Sequence, residues 1–246
     1  MIFRKPVFWI TATLLFIGGL FYSVQVFPKA FAILNVDLKM DREAAFSQSS
    51  TLAEKNNWGP DNYNQVASFS HDTRTQNFVE LDAGGVEKVS SLMQDGLYHF
   101  YTWTVRHYRE HEPNETRISF TPAGDFYGFK ETLAETEKGA ALIAGEAKVI
   151  AENFIENETN IQLSKFDAIE TSEEIMPSER IDHTFVYQRT KEQIGDGFFR
   201  LKLVVSGDKV TELKHFIKVP ETFSRRFEEM RSANNTLATS ASIAMF

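Results

Sequence analysis

The sequence has no cysteine among its 246 residues. This absence excludes a disulfide framework, a thiolate zinc site and a cysteine nucleophile. A glycine-rich phosphate loop is also missing from the chain. Basic residues are outnumbered, with 26 Lys and Arg against 34 Asp and Glu, which gives a formal net charge of -8. An acidic surface argues against binding nucleic acid and against adhesion to anionic headgroups.

Charge is also absent from one long apolar stretch, Pro6 to Phe27. At 1.5 Å per residue, roughly 20 such residues span a hydrocarbon core of about 30 Å. Arg4 and Lys5 precede the stretch, so the positive-inside bias favours a cytoplasmic flank at residues 1–5. We therefore predict a transmembrane helix at 6–27, with the remainder of the chain outside the membrane. The span contains no Asp, Glu or His that could hold a metal.

A cleaved signal peptide is the competing interpretation of this N-terminal stretch. Ala30-Phe31-Ala32 matches the small-x-small pattern of a cleavage site. Against that interpretation, the apolar run is longer than the usual h-region of about 7–15 residues. An uncleaved anchor is the interpretation that the length favours.

The C-terminal residues are also small and apolar, and no charged residue follows Arg231. Residues 223–235 are predicted to be a juxtamembrane segment. Residues 236–246 are then predicted to be the start of a second membrane helix. The chain ends before such a helix could reach about 20 residues. We therefore expect the chain to be the front part of a larger membrane protein.

The segment between these ends begins with helical patterns. Asp41 is a candidate N-cap for a helix that continues to about Asn57, where Trp58-Gly59-Pro60 would stop it. Residues 63–69 alternate as a strand. Apolar residues at helical spacing follow, and Gly84-Gly85 divides them into two short helices.

The pattern changes to a period of two after Gly96. Trp103 and Val105 would then face the core, while Arg106 faces solvent. Alternation resumes at 117–120, and a turn at 123–126 leads into a further strand. This order predicts an antiparallel meander with one buried face.

A second cycle repeats this order of elements. Apolar residues at helical spacing predict an amphipathic helix from about Leu142 to Asn157, with one face formed by Ile143, Ala147, Ile150, Ala151 and Phe154. Strands are predicted at 166–169, 184–189, 199–205 and 210–219, with a hairpin turn at Gly207-Asp208.

The two cycles are predicted to be repeats of one unit, at 28–138 and 139–222. Gly124-Asp125 and Gly207-Asp208 lie 83 residues apart, and the same offset aligns Arg106 with Arg189, Ile118 with Leu201 and Phe120 with Leu203. A helix on a curved antiparallel sheet, twice over, predicts an α+β fold behind the membrane helix.

One motif fits the H-x-x-E-H pattern of some zinc peptidases: residues 107–111, His-Tyr-Arg-Glu-His. That chemistry needs both histidines one helical turn apart. Here the preceding residues alternate as a strand, which separates the Cα atoms of His107 and His111 by about 13 Å. We therefore predict a solvated hairpin end instead of a metal site.

The remaining polar motifs have structural interpretations. Asp182-His183-Thr184 could be an acid–histidine pair, but no nucleophile is identifiable nearby, so a capped strand start is favoured. Two acid pairs, Glu173-Glu174 and Glu228-Glu229, lie in polar stretches and are predicted to be solvated. No catalytic, metal-binding or cofactor-binding residue is assigned to this chain.

Six stretches in order resemble the long bacterial CPBP-type (CAAX-protease and bacteriocin-processing) intramembrane metalloproteases, which carry an extracytoplasmic domain between their first two membrane helices. These stretches are Phe27-Pro28-Lys29-Ala30-Phe31, Met40-Asp41-Arg42, Thr102-Trp103-Thr104-Val105-Arg106, Asp182-His183-Thr184-Phe185-Val186-Tyr187, His215-Phe216-Ile217-Lys218-Val219-Pro220 and residues 224–235 (SRRFEEMRSANN).

The resemblance implies a polytopic protein of the bacterial inner membrane whose metal site is built from membrane helices. The family signature begins with two adjacent glutamates and an arginine four residues later. Glu174 and Glu229 are followed at that distance by Ser178 and Ala233, so the motif is not in this chain. Zinc or a similar metal is implied only for the missing catalytic region, and we expect this chain alone to be inactive.

Two functions are compatible with these features. In the first, the chain is the membrane-anchored N-terminal accessory or sensing region of a CPBP-family protease. In the second, it is a single-pass envelope protein whose repeat domain binds a protein or peptide partner outside the membrane. Both functions place the chain in a lipid bilayer, with a cytoplasmic N-terminus and no nucleic-acid partner.

Overall fold

A computed structural model of the chain describes residues 5–30, 33 and 36–244. Parts of three sequence-based predictions lie outside these residues: most of the cytoplasmic flank, the last two positions of the candidate cleavage site, and the last two residues of the predicted second membrane helix.

The first element is the predicted apolar helix. α1 covers Pro6–Ala30, and its segment Pro6–Phe27 has a mean hydropathy of 1.9. No part of the helix's most apolar window is buried against the rest of the protein. Within residues 5–30, 33 and 36–244, it is the one helix long and apolar enough to cross a membrane, although a signal sequence meets the same criteria.

The remaining helices and strands form one α+β domain, which confirms the predicted fold class. The helices are α2 Arg42–Asn56, α3 Thr73–Asp82, α4 Gly85–Gln94, α5 Ala144–Glu158 and α6 Glu221–Ala244. The strands are β1 Asn64–His71, β2 Tyr101–Tyr108, β3 Glu115–Phe120, β4 Phe126–Thr132, β5 Phe166–Ile175, β6 Ile181–Ile194, β7 Gly197–Ser206 and β8 Lys209–Lys218.

All eight strands belong to a single antiparallel sheet in the order β1-β2-β3-β4-β8-β7-β6-β5. The first four strands form one meander and the last four another. The meanders meet where β4 pairs with β8. The predicted segments 28–138 and 139–222 therefore share one continuous sheet.

The predicted N-cap Asp41 begins α2, and Asn57 caps its other end. The Asp41 carboxylate accepts a hydrogen bond from the Ala44 amide at 2.8 Å, which satisfies a backbone donor in the first turn. At the other end Asn57 adopts a left-handed conformation with φ 54°, which asparagine tolerates better than most residues. The short helices α3 and α4 are separated at Gly84, as predicted.

The second meander differs from the prediction in strand length. β5 was predicted to end at Ile169 and β6 to start at Thr184, but β5 continues to Ile175 and β6 begins at Ile181. The added residues of β5 include Glu173 and Glu174, which are exposed at the sheet edge as predicted for solvated acids. Charged side chains are common on edge strands because they discourage pairing with other chains.

The buried face of α5 is also shifted relative to the prediction. Ile143 was predicted to face the core, but it precedes the first helical residue and is 69% exposed. Ala147, Ala151 and Ile155 are fully buried, so the buried face of α5 includes Ile155 and does not include Ile143. Ile150 and Phe154 are partly buried against the same core, as expected.

Helices cover one face of the sheet. α2 packs on β1 and β2, while α5 packs on β6, β7 and β8. Along β7 every second residue is buried beneath this layer, namely Phe199, Leu201, Leu203 and Val205. The opposite face of the central strands carries polar side chains and has no helix packed on it among the described elements. We call it the open face.

The last helix is attached to the domain through α3. Phe223 is buried, and its ring centroid lies 5.2 Å from that of Phe78. Arg226 forms an ion pair with Asp82 in the same region. α6 then continues without interruption past residue 235, so the predicted boundary between juxtamembrane and membrane segments is not a break in the helix.

We expect Leu203→Ala to lower the free energy of unfolding by about 2–5 kcal/mol, because it leaves a cavity beneath α5. Leu203 is fully buried, whereas Leu81 is 58% exposed and serves as the matched control. Urea denaturation of the full chain in detergent measures both. A loss of stability in Leu81→Ala equal to that in Leu203→Ala would contradict the assigned core.

Candidate functional site

The contact between the two meanders is short. β4 and β8 share two register pairs, Phe129 with Leu213 and Lys130 with Glu212. Gly128 precedes them, and a Cβ atom there would lie 2.4 Å from the Leu213 carbonyl oxygen. No side chain fits that spacing without moving the backbone. Glycine therefore permits the close approach of β4 to β8.

Cationic side chains lie directly opposite one another on the open face beside this contact. Arg106 on β2 pairs in register with Arg117 on β3, and Arg117 pairs with Lys130 on β4. On the other side, Lys202 on β7 pairs with Lys214 on β8. Directly opposed residues of an antiparallel pair share a face, and like charges in such positions are destabilising.

Acidic residues neutralise only part of this charge. Glu115 forms ion pairs with both Arg106 and Arg117, and Glu212 accepts a hydrogen bond from the Lys202 ammonium at 3.0 Å. Lys130 and Lys214 are exposed and have no ion-pair partner within residues 5–30, 33 and 36–244. The central part of the open face is therefore positive in an otherwise acidic protein.

These residues line a groove of about 590 Å³ that follows the β4–β8 contact. We call it the basic groove and define it by Arg117, Lys130, Lys202, Glu212 and Lys214, together with Thr104 and Ser119 on its floor and Tyr98, His99 and Tyr127 at one end. The hydroxyl groups of Thr104 and Ser119 lie 3.2 Å apart. Its volume suits a small ligand.

Two aromatic rings close one end of the basic groove. Tyr127 stacks on His215 with ring centroids 4.3 Å apart, and its hydroxyl accepts a hydrogen bond from the His99 amide at 3.2 Å. Burial lowers the pKa of His215 to about 4, against an opposing hydrogen bond to the Tyr127 backbone. Burial also lowers the pKa of His99 and raises that of Tyr127, so these groups are neutral at pH 7.

His107 is not at a solvated hairpin end, as the sequence had suggested. It lies on β2 with no solvent exposure, and its ring stacks on Tyr63 at 4.0 Å between centroids. Its Nε2 atom is 3.0 Å from both Ser49 Oγ and Gln65 Nε2. Burial lowers the pKa of His107 to about 4. The histidine therefore links α2 to the sheet as a neutral group.

The other residues of the H-x-x-E-H motif do not converge on His107. Glu110 and His111 are exposed in the turn after β2, where His111 has φ 66°. Within the described part of the chain, no group of three or more His, Cys, Asp or Glu residues could hold a metal ion. Ser49 and His107 form a close pair, but both are fully buried, so no substrate reaches them.

Asp182 and His183 face different surroundings on β6. The Asp182 carboxylate accepts from Arg180 Nε at 2.8 Å. His183 is fully buried, and its Nε2 lies 2.8 Å from the Leu142 carbonyl oxygen just before α5. These contacts fit the structural role that was favoured for the motif. Trp103 packs against the core, as predicted, and donates from Nε1 to the Met40 carbonyl.

Sequence reasoning missed the basic groove. Its cations come from four strands, and only the register of those strands brings them together. The one signal in the sequence was the alternation of basic with apolar residues at Lys202, beside the buried Leu201 and Leu203. The negative charge of the whole chain pointed away from an anion site, because it conceals this local excess of positive charge.

We expect the full chain in detergent to lose stability as the pH falls from about 6.5 to about 4. Unfolded histidines bind a proton near pH 6.5, whereas burial holds the pKa of His107 and His215 at about 4 in the folded protein. The unfolded state therefore binds more protons in this window, and the free energy of unfolding falls as the pH is lowered. Urea titrations across this range measure the slope.

The variant His107→Gln separates this effect from carboxylate titration. We expect a lower free energy of unfolding at pH 7, because the stacked and hydrogen-bonded ring is lost. We also expect the slope of this free energy against pH to be shallower by up to about 1.4 kcal/mol per pH unit. The control is His111→Asn, at an exposed position whose positive φ asparagine accepts. An unchanged slope in His107→Gln would show that His107 does not titrate in this way.

Comparison with known proteins gives no match: no family model, no curated protein and no solved structure matches this chain. The functional interpretation therefore depends on the geometry of the open face, on the apolar helix α1 and on the resemblance described from the sequence.

Proposed function

We propose that the chain is a membrane-anchored module that binds a ligand in the basic groove on the outer side of a bacterial inner membrane. The observation that carries the proposal is the set of directly opposed cations on the open face. Such a set lowers the stability of the sheet unless something offsets the repulsion. A bound anion would offset it and gain charge-assisted hydrogen bonds.

Binding explains the site better than catalysis does. The closest serine–histidine pair, Ser49 and His107, is fully buried beneath α2 on the opposite face of the sheet. A nucleophile and its base must reach the substrate, and neither does. The groove itself offers cations and hydroxyl groups, which hold and orient a ligand without requiring a reaction.

We further propose that the module is the accessory or sensing region of a CPBP-type intramembrane metalloprotease. The six matching sequence stretches support this assignment, and the uncharged continuation of α6 after Arg231 is compatible with a second membrane helix. The alternative is a single-pass envelope protein that binds a protein or peptide partner. Tighter binding of acidic peptides than of other anions in the groove would favour this alternative.

The two meanders are also proposed to be repeats of one helix-plus-meander unit. The offset of 83 residues relates Arg106 on β2 to Arg189 on β6, and Ile118 on β3 to Leu201 on β7. It also relates the β3–β4 turn to the β7–β8 turn. A duplicated unit would explain why the sheet has two similar halves that meet at their last strands.

The proposed orientation predicts the labelling of single cysteines in this cysteine-free chain. Ser47 lies exposed on α2, and Lys5 precedes α1. We expect Ser47→Cys to react with an impermeant maleimide in intact spheroplasts, and Lys5→Cys to react only after lysis. The reverse pattern would show that the module faces the cytoplasm, and labelling of both in intact cells would argue against an anchor.

The proposed parent protein predicts the content of the gene beyond the codon for Phe246. We expect the reading frame to encode further apolar spans of about 20 residues each, with two adjacent glutamates, an arginine four residues later and histidines on later helices. A genomic read through this region is sufficient. A frame that encodes apolar spans without these residues would reject the protease assignment but would leave the anchored binding module in place.

A further inference from the structure

We propose that the ligand of the basic groove carries a phosphate group. This inference rests on the proposed binding function and names the chemical class of its ligand. It begins from the two cations that lack an ion-pair partner among the described residues, Lys130 and Lys214. They belong to adjacent strands on either side of the β4–β8 contact, and both line the groove.

The spacing of the cations favours a compact, multiply charged anion. Neighbouring strands are about 4.8 Å apart, so Arg117 and Lys130 start from positions close enough for their long side chains to reach one group. Lys202 and Lys214 are likewise directly opposite each other. A phosphate presents several oxygens and up to two charges at one point. A carboxylate presents a single charge.

An extended acidic peptide fits this spacing less well. Its side chains project to the same side at every second residue, about 6.8 Å apart. Each acidic side chain would bring one charge, at a spacing wider than that of the cations on neighbouring strands. Arg106, Arg117 and Lys130 lie on three neighbouring strands, so the peptide would also have to run across those strands to contact all three. A peptide is therefore the competing outcome of the test.

The uncharged lining of the groove also suits a phosphate ester. The hydroxyl groups of Thr104 and Ser119 are on the same face as the cations and can donate to phosphate oxygens. Beyond them the groove reaches His99 and Tyr127, which are half-buried. These two neutral rings provide a surface for the organic part of an ester, whose phosphate is held by Arg117, Lys130 and Lys214.

The test measures binding of pyrophosphate to the full chain in phosphatidylcholine nanodiscs by isothermal titration calorimetry. We expect Lys130→Gln/Lys214→Gln to raise the Kd about tenfold or more, because it removes two charge-assisted contacts. Both lysines are exposed, so the fold should tolerate the change. The matched control, Lys165→Gln/Lys191→Gln, removes the same charge from exposed positions outside the groove.

Two further probes identify the source of the phosphate. Glycerol 3-phosphate represents a free ester, and dihexanoyl phosphatidic acid represents a lipid headgroup. Binding of either that depends on Lys130 and Lys214 supports the proposal, and the tighter one indicates the source. The Arg117→Gln variant should weaken the same probe, since its guanidinium lines the same groove.

Three results would overturn the inference. The first is no measurable binding of any phosphate probe. The second is an equal loss of affinity in the groove and control variants, which would indicate non-specific electrostatic attraction. The third is tighter binding of hexaglutamate than of pyrophosphate with the same dependence on Lys130 and Lys214, which would support a peptide ligand. The cysteine-labelling experiment fails independently of these results, so the location and the ligand are tested separately.

Discussion

The two halves of the sheet are held together where β4 runs against β8, through only two register pairs. Side chains strengthen this short ladder on the helical face. Trp58, which follows α2, stacks on Phe129 with ring centroids 3.9 Å apart, and Phe154 of α5 lies 5.5 Å from the same Phe129 ring. The first and second halves therefore share one aromatic cluster over the junction. On the other face the same junction carries the basic groove, so the stability of the sheet and the proposed binding depend on one contact.

Buried polar groups tie each half-sheet to its own helix. His107 connects β2 to α2 through Ser49, and His183 connects β6 to the segment entering α5 through the Leu142 carbonyl. The neutral imidazole of His107 makes its contact at little cost, whereas a charged ring in the same place would be poorly solvated. Protonation of His107 in acid would therefore weaken the contact of α2 with β2.

Local sequence patterns predicted most elements of the fold, because caps and periodicity are properties of neighbouring residues. Asp41 marks an element boundary through its side chain, and Asn57 and Gly84 do so through left-handed backbone conformations. The patterns did not predict the length of β5, because its acids read as a loop until β6 is seen to pair with them. They also missed the burial of His107 and the convergence of Lys130 with Lys214. Both depend on register between segments far apart in the chain, which alternation within one strand does not encode.

The helices α3 and α4 form the joint between the sheet and the two terminal helices. α1 approaches α4, while α6 packs on α3 through Phe223 and Phe78. The groove reaches the same joint: Asp72 lines its end, caps α3 through the Thr75 amide and accepts a hydrogen bond from the Tyr98 hydroxyl at 2.7 Å. Contact alone does not couple a ligand to a helix, since coupling requires an element with two arrangements that the ligand distinguishes. Such an element would have to include α3, because its capping residue Asp72 lines the groove and its Phe78 contacts Phe223 of α6. A sensing role therefore requires the ligand to shift α3, whereas a purely binding role leaves it unmoved.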